Sequence, residues 1–225
     1  MKKYYEAYDE RYKKVHKETG LAWAGNEPTK VLKLWLEKYL TNKNSKILEV
    51  GCGEGQNAIF LMENGFNVLA SDVSEEAINW CKSAAASKNI NKNNFFVLDI
   101  LENNHKQKYD CIYSISTVHM LVLDEDRNKF FKFIYNHLND GGVAIVTSMG
   151  NGKFEKSDSN INKAFDLDER KFNNQVLKVA TTTCRIVNWE QFEKEALSAN
   201  LKIKEKFVST HISGFADCMV LVLTK

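Results

Sequence analysis

A chain of 225 residues with 44% hydrophobic content can bury one sizeable core, and residues 1–225 are read as one domain. The 31 basic and 29 acidic residues leave a net charge of +2, too small a field to favour nucleic acid, and no apolar run reaches the length needed to span a bilayer. The charged start M-K-K-Y-Y-E lacks the apolar stretch of a signal peptide. The five cysteines (Cys52, Cys81, Cys111, Cys184 and Cys218) are odd in number and never spaced C-x-x-C. The expectation is therefore a cytoplasmic protein with reduced thiols, no disulfide framework and no metal site.

Residues 1–19 read as a helix, with Tyr4, Tyr5, Tyr8 and Tyr12 recurring at spacings of three and four and Gly20 ending it. The plainer reading of this stripe is core packing. The functional one is a lid over a ligand, extending through Trp23 to about residue 29 and moving as ligand binds. Pro28 opens the next helix, whose broad apolar face (Val31, Leu32, Trp35, Tyr39) packs on a sheet.

The stretch Lys46–Asp72 organises the chain. Ile47, Leu48 and Val50 form a short apolar strand of the kind buried on both faces of a parallel sheet. Gly51, Gly53 and Gly55 follow at alternate positions and allow a sharp turn with close backbone approach to a ligand. A helix follows, with Ala58, Leu61 and Met62 on one face and Asn64-Gly65 as its stop. The next strand, Phe66 to Ala70, runs into Ser71-Asp72, an acid placed where it can accept hydrogen bonds from a ribose diol. The 21 positions from Gly51 to Asp72 suit a dinucleotide site, but that fingerprint wants glycine where Gln56 stands.

Ser74 is a predicted N-cap, with Glu75 and Glu76 in the first turn of the helix behind it. Phe95 to Leu98 is a third strand ending in Asp99-Ile100. A polar loop spans 101–108, and Y-D-C-I-Y-S-I-S is a fourth strand. Asp124 opens a helix that L-N-D-G-G closes, and V-A-I-V-T-S-M is a fifth strand. Residues 150–174 read as an inserted loop with a short helix near 161–165, and 176–187 as one β-branched strand. A helix from Trp189 to Ser198 precedes two closing strands, Leu201 to Val208 and Phe215 to Leu223. T-H-I-S-G joins these strands as a hairpin, so they are antiparallel. Alternating β and α units imply a doubly wound, mostly parallel α/β sheet.

The motif E-V-G-C-G-E-G (Glu49 to Gly55), the acids Asp72 and Asp99, and Y-D-C-I-Y-S-I-S-T-V-H-M-L together resemble the class I S-adenosylmethionine-dependent methyltransferases. Within L-N-D-G-G, Asp140 replaces the family's usual proline. The resemblance covers about Lys30 to Lys225 and implies a seven-stranded Rossmann-like sheet of order 3-2-1-4-5-7-6. It implies S-adenosyl-L-methionine as cofactor. The backbone of Gly51, Cys52, Gly53 and Gly55 would hold its methionine part, Glu49 and Asn57 would also be cofactor-binding, and Asp72 would hold its ribose. Val73, Asp99 and Ile100 would surround the adenine, with Ser114 and Ile115 at the amino-acid end. Tyr5, Tyr12, Trp23 and His119 would face the acceptor, and His119 is the candidate general base. No [DN]-P-P-[FYW] or P-C motif is present, so a small-molecule acceptor methylated on O, N or S is expected, by a monomer or homodimer. A protein or RNA methyltransferase, a binding module without turnover and a nucleotide-dependent oxidoreductase are the alternatives. The acceptor side is assigned to the N-terminal segment and the 150–187 insertion.

Overall fold

The computed structural model describes residues 2–20, 27–102, 105–158, 160–172, 175–210, 212 and 217–225. Trp23 lies outside them. The chain begins with a 3-10 turn (Tyr4–Glu6) leading into α1 (Ala7–Glu18), then α2 (Lys30–Tyr39), β1 (Ile47–Val50), α3 (Gln56–Glu63) and β2 (Val68–Asp72). Next come α4 (Glu75–Ser87), β3 (Phe95–Val97), β4 (Tyr109–Ser114), α5 (Asp124–His137) and β5 (Leu138–Met149). The inserted region contributes β6 (Lys156–Asp158), β7 (Leu167–Phe172), β8 (Gln175–Ala180) and β9 (Cys184–Ile186). The chain closes with α6 (Trp189–Ser198), β10 (Lys202–Ser209) and β11 (Cys218–Thr224).

Seven strands form one sheet in the order β3-β2-β1-β4-β5-β11-β10. The first five pair in parallel, and β11 is antiparallel to both β5 and β10. Counted along this sheet, the order is the expected 3-2-1-4-5-7-6. Strand side chains alternate between two buried layers, as the pleat requires. Leu48, Val50, Ile112, Ala144 and Val146 join Phe130 and Phe131 of α5 and Phe192 of α6. Ile47, Val68, Ala70, Cys111 and Ile145 join Leu32 and Trp35 of α2 with residues of α3 and α4. Parallel strands covered by helices on both faces leave their carboxyl ends as the open rim where a ligand sits.

Several local features differ from the sequence reading. Thr29 is the residue before α2, one position past Pro28. Strand β2 continues through Asp72, because Asp72 pairs in register with Val97. L-N-D-G-G does not stand outside the sheet but forms the first turns of pairing in β5, with a register irregularity opposite β4. The region 150–174 is not a plain loop. It supplies β6 and β7, which pair with β9 and β8 in two small antiparallel sheets. Residues 176–187 are not one strand, because the ladder breaks at 181–183. There Thr182 takes a positive φ of 62°, and its N–H and that of Thr181 donate to the carbonyls of Ala164 and Asp166.

Candidate active site

A cavity of about 840 Å³ opens above the rim of β1, β2 and β4, at the upper end of the range for small-molecule sites. Its floor is the turn after β1. Gly51 and Gly53 both have positive φ, and a Cβ on Gly51 would lie 2.2 Å from Thr117 Oγ1. Only glycine fits here, so the floor presents bare backbone to the cavity. Asp72, at the tip of β2, locks this turn: its Oδ2 accepts from the Gly53 N–H at 2.9 Å and its Oδ1 from the Ser74 N–H at 2.9 Å. Burial raises the Asp72 pKa, and the hydrogen bonds from Ser74, Gly53 and Val73 oppose that in part. Each oxygen keeps a lone pair for a further donor.

Glu49 faces the cavity from β1. Asn57 Nδ2 donates to its Oε1 at 3.4 Å, while Oε2 has no hydrogen-bond partner among the described residues. Burial pushes the Glu49 carboxyl up to about 8, against the opposing effect of Tyr113 and Asn57. A buried carboxyl with an unused oxygen is an incomplete site, and a ligand ammonium would complete it.

The roof is built from distant parts of the chain. Tyr8 of α1 donates to the Thr183 carbonyl at 2.6 Å. Arg11 donates through Nε and Nη2 to the Ala180 carbonyl at 3.0 and 2.6 Å, and through Nη2 to that of Thr181 at 2.7 Å. These bonds consume the carbonyls exposed by the break between β8 and β9. Tyr5 donates to Asp99 Oδ2 at 2.8 Å, as does Lys3 Nζ at 2.8 Å. At the other end of α1, His16 lies between Glu54 of the glycine turn and Glu76 of α4, with 3.0 Å on each side.

A family model described as a methyltransferase domain matches residues 47–142. Over 104 residues the chain is 30% identical to the probable S-adenosyl-L-methionine-dependent methyltransferase TehB of Haemophilus influenzae, covering 46% of this chain and 35% of TehB. Over 108 residues it is 30% identical to the ubiquinone biosynthesis O-methyltransferase of Rickettsia typhi, covering 48% of this chain and 42% of that protein. The chain thus spans less than half the length of these two relatives. Its fold is similar to that of an S-adenosylmethionine-dependent methyltransferase from Clostridium acetobutylicum, with a TM-score of 0.67 at 18% identity over 86% of this chain and 89% of that one. Residues 47–142 match a methyltransferase domain, and the fold is similar to that of a solved S-adenosylmethionine-dependent methyltransferase.

Against this methyltransferase frame, the residues proposed for the cofactor separate into two groups. Glu49, Gly51, Cys52, Gly53, Asn57, Asp72, Val73, Asp99, Ile100 and Ile115 line the cavity. Gly55 and Ser114 do not. Gly55 lies at the start of α3, packed on Cys81 and Phe95. Ser114 is fully buried and its hydroxyl donates to the Val50 carbonyl at 2.9 Å, tying β4 to β1. Ile115, Ser116 and Thr117 take the wall beyond it. Ser116 has a positive φ of 57°, a strained state for a residue with a Cβ, and its hydroxyl is buried without a hydrogen-bond partner among the described residues.

Tyr5, Tyr12 and His119 also line the cavity. Tyr5 reaches Asp99, one of the residues expected at the adenine, rather than the region of His119. The Tyr12 hydroxyl sits over Gly53, 2.9 Å from where a Cβ would be. His119 is 3% exposed, and burial together with the charge of Arg127 lowers its pKa to about 3. An imidazole so reluctant to hold a proton is a poor general base near neutral pH. Its loop is fixed from behind. Arg127, with no exposed surface, donates to the carbonyls of Val118 and Leu121 and forms a two-pronged pair with Glu195 at 2.7 and 2.8 Å. Sequence reasoning names none of Arg11, Thr117, Arg170, Lys171 or 181–184 as a site residue, although Thr117 lies within the motif at 109–121 and the 150–187 segment as a whole is assigned to the acceptor side. Tyr8 is visible in the tyrosine stripe.

Proposed function

We propose that the protein transfers a methyl group from S-adenosylmethionine to an oxygen, nitrogen or sulfur atom of a small molecule. The observation that carries the cofactor half is the unfilled Oε2 of Glu49 beside the bare glycine turn that Asp72 clamps. The cofactor supplies, when bound, an electrophilic methyl group on a sulfonium. Glu49 would meet its ammonium, Asp72 its ribose hydroxyls, and Val73, Asp99 and Ile100 its adenine. The chain's own residues contribute position. They hold both partners under one roof, exclude water and align the acceptor lone pair, a source of rate that requires no protein base. A small acceptor is supported by the roof, where hydrogen bonds from Tyr8 and Arg11 draw α1 onto the 180–183 segment. The five cysteines are not joined in disulfides, which suits a reducing, cytoplasmic setting. No helix among the described residues is long and apolar enough to cross a membrane.

Calorimetry with S-adenosylmethionine, S-adenosylhomocysteine and NADH tests this reading. The first two bind and NADH does not. The reverse order of affinity would replace it with the oxidoreductase alternative, and cofactor binding without transfer to any acceptor would leave a binding module.

A further inference from the structure

The charged side chains that line the cavity are sorted by height. Glu49, Glu54, Asp72 and Asp99 enter from the floor, on strand tips and the turns that follow them. Glu27 enters from the same side, two residues before Thr29, whose N–H donates to Asn57 of α3. The basic residues enter from the roof: Arg11 from α1, and Arg170 and Lys171 from β7. The acidic floor, where Lys3 pairs with Asp99 and His16 with Glu54, and the basic roof face one another across the same space. The floor suits a cofactor that carries positive charge. The roof, beside Tyr8, Tyr12, Met120 and Phe172, suits the opposite sign on an apolar or aromatic body.

Taking up the methyltransferase reading above, we propose that the acceptor binds as an anion, an ionised hydroxyl or thiol on an apolar body, with Arg170 and Lys171 as the side chains that select it. Cations close to an acidic group favour its ionised form. A nucleophile that arrives ionised has no proton to give up and needs no base. The site's own groups agree with this. His119 is held neutral with a pKa near 3, and burial raises the Tyr8 hydroxyl to about 12, so neither is suited to taking a proton near neutral pH. Arg11 is buried and committed to the carbonyls of Ala180 and Thr181, which makes it a fixed source of positive potential. Arg170 pairs with Asp168 at 2.9 Å, but both side chains are half exposed, so this surface pair is weak enough to yield to a ligand anion. Lys171 is exposed on the neighbouring position. Both project from a hairpin paired only through β7 and β8, so replacing them leaves the main sheet untouched.

The test uses the full chain saturated with S-adenosylhomocysteine, whose binding is measured first by calorimetry. Failure at that step removes the methyltransferase reading itself. The probes are thiophenols and phenols with graded nitro substitution, each compared with its neutral methyl ether, and phenethylamine. Binding to the loaded protein is read by calorimetry, and methylation by mass spectrometry with S-adenosylmethionine. Acidic probes should bind at least tenfold more tightly than their neutral counterparts, and added salt should erode the difference. The double variant Arg170→Ala, Lys171→Ala should lose that preference while its S-adenosylhomocysteine affinity stays within twofold of wild type. A panel in which no acid binds more tightly than its neutral counterpart overturns the proposal. So does a double variant that keeps the wild-type preference, or an amine bound as well as the acids.

Discussion

The floor and the roof of the cavity are built on different principles. The floor comes from one continuous stretch, β1 through β2, whose backbone is fixed by parallel pairing and by the clamp from Asp72 to Gly53. The roof joins α1 to the 180–183 segment, about 170 positions away along the chain, through side chains that donate to carbonyls. Below the rim, core side chains fill two deep layers. In the roof, Tyr8, Tyr12, Val15 and Val179 form a small cluster with Ala77 of α4, while Tyr4, Tyr5, Ala7 and Ala180 join one of the deep layers. Elements with few buried apolar neighbours open at low free-energy cost, so the roof should open while the floor stays formed. On the proposed function, a preformed floor would bind cofactor and a separable roof would admit and enclose the acceptor.

The largest expected effect breaks the wall that floor and roof share. Arg127→Ala strands Glu195 as a buried charge without its partner and frees the Val118 and Leu121 carbonyls. It should cost about 3–5 kcal/mol of stability by urea denaturation. A loss below about 1 kcal/mol would mean that the 118–121 loop is held by packing alone. The next effect separates the halves. Asp72→Ala should weaken S-adenosylhomocysteine binding by roughly 1.5–3 kcal/mol, the range for hydrogen bonds to a charged group, while hydrogen exchange in α1 keeps its wild-type pattern in the unliganded protein. Unchanged affinity would remove Asp72 from the ribose site.

How much of this was legible in the sequence follows the same division. Strand, glycine turn, helix and second strand are encoded by local period and by residues whose conformational needs are local, such as Gly51 and Gly53. The alternation of elements implied a doubly wound sheet, and the family resemblance supplied the strand order. Ser114 was misplaced because a strand tip alternates direction: one residue decides whether a hydroxyl faces the ligand or, as here, the Val50 carbonyl of the neighbouring strand. The break at 181–183 was invisible because β-branched threonines favour strands. The interactions that interrupt this ladder come from Arg11, Ala164 and Asp166, far away or across a loop. Tyr8 of the tyrosine stripe is buried, as the packing reading expects, and it also lines the cavity; its movement as part of a lid is a proposal that hydrogen exchange tests.

A smaller effect isolates the roof. Tyr8→Phe keeps the ring in its cluster and removes the hydroxyl with its hydrogen bonds, among them the bond to the Thr183 carbonyl, which is left unsatisfied. The expected cost is about 1 kcal/mol. Hydrogen exchange should speed up in residues 4–18 and 175–187 and stay unchanged in β1, β2 and β4. Equal acceleration in the central strands would show that roof and floor open as one unit.

The smallest effect is a pH dependence of roof closure, and its sign can be worked out. Both ring nitrogens of His16 face carboxylates at 3.0 Å, Nε2 toward Glu54 and Nδ1 toward Glu76, and the ring stacks on Trp80 with centroids 4.3 Å apart. A neutral imidazole has one donor, so both bonds form only with the charged ring. Burial alone would lower the His16 pKa, but the hydrogen bonds and charges of the two glutamates outweigh it and raise it above 6.5. A raised histidine pKa contributes stability that is fully present below the unfolded value of 6.5 and is lost as pH rises through the folded one. Asp9 acts in the opposite sense. It accepts from the Ser74 hydroxyl at 2.7 Å and the Glu76 N–H at 3.0 Å and pairs with Lys13 at 2.7 Å. Burial opposes its ionisation, yet these partners prevail and lower its pKa, so its contribution is lost only as pH falls below 3.8 toward that lowered value. Docking of α1 is therefore strongest in mildly acidic solution and weakens on the alkaline side of 6.5, by roughly 1 kcal/mol or less for a partly screened pair. Exchange protection of α1, corrected for intrinsic rate, should fall over that window in the wild type. His16→Gln, which cannot titrate, should show a flat profile while Tyr8 still holds the far end of the helix. A wild-type profile as flat as that of His16→Gln would mean that the two glutamates grip His16 without depending on its charge.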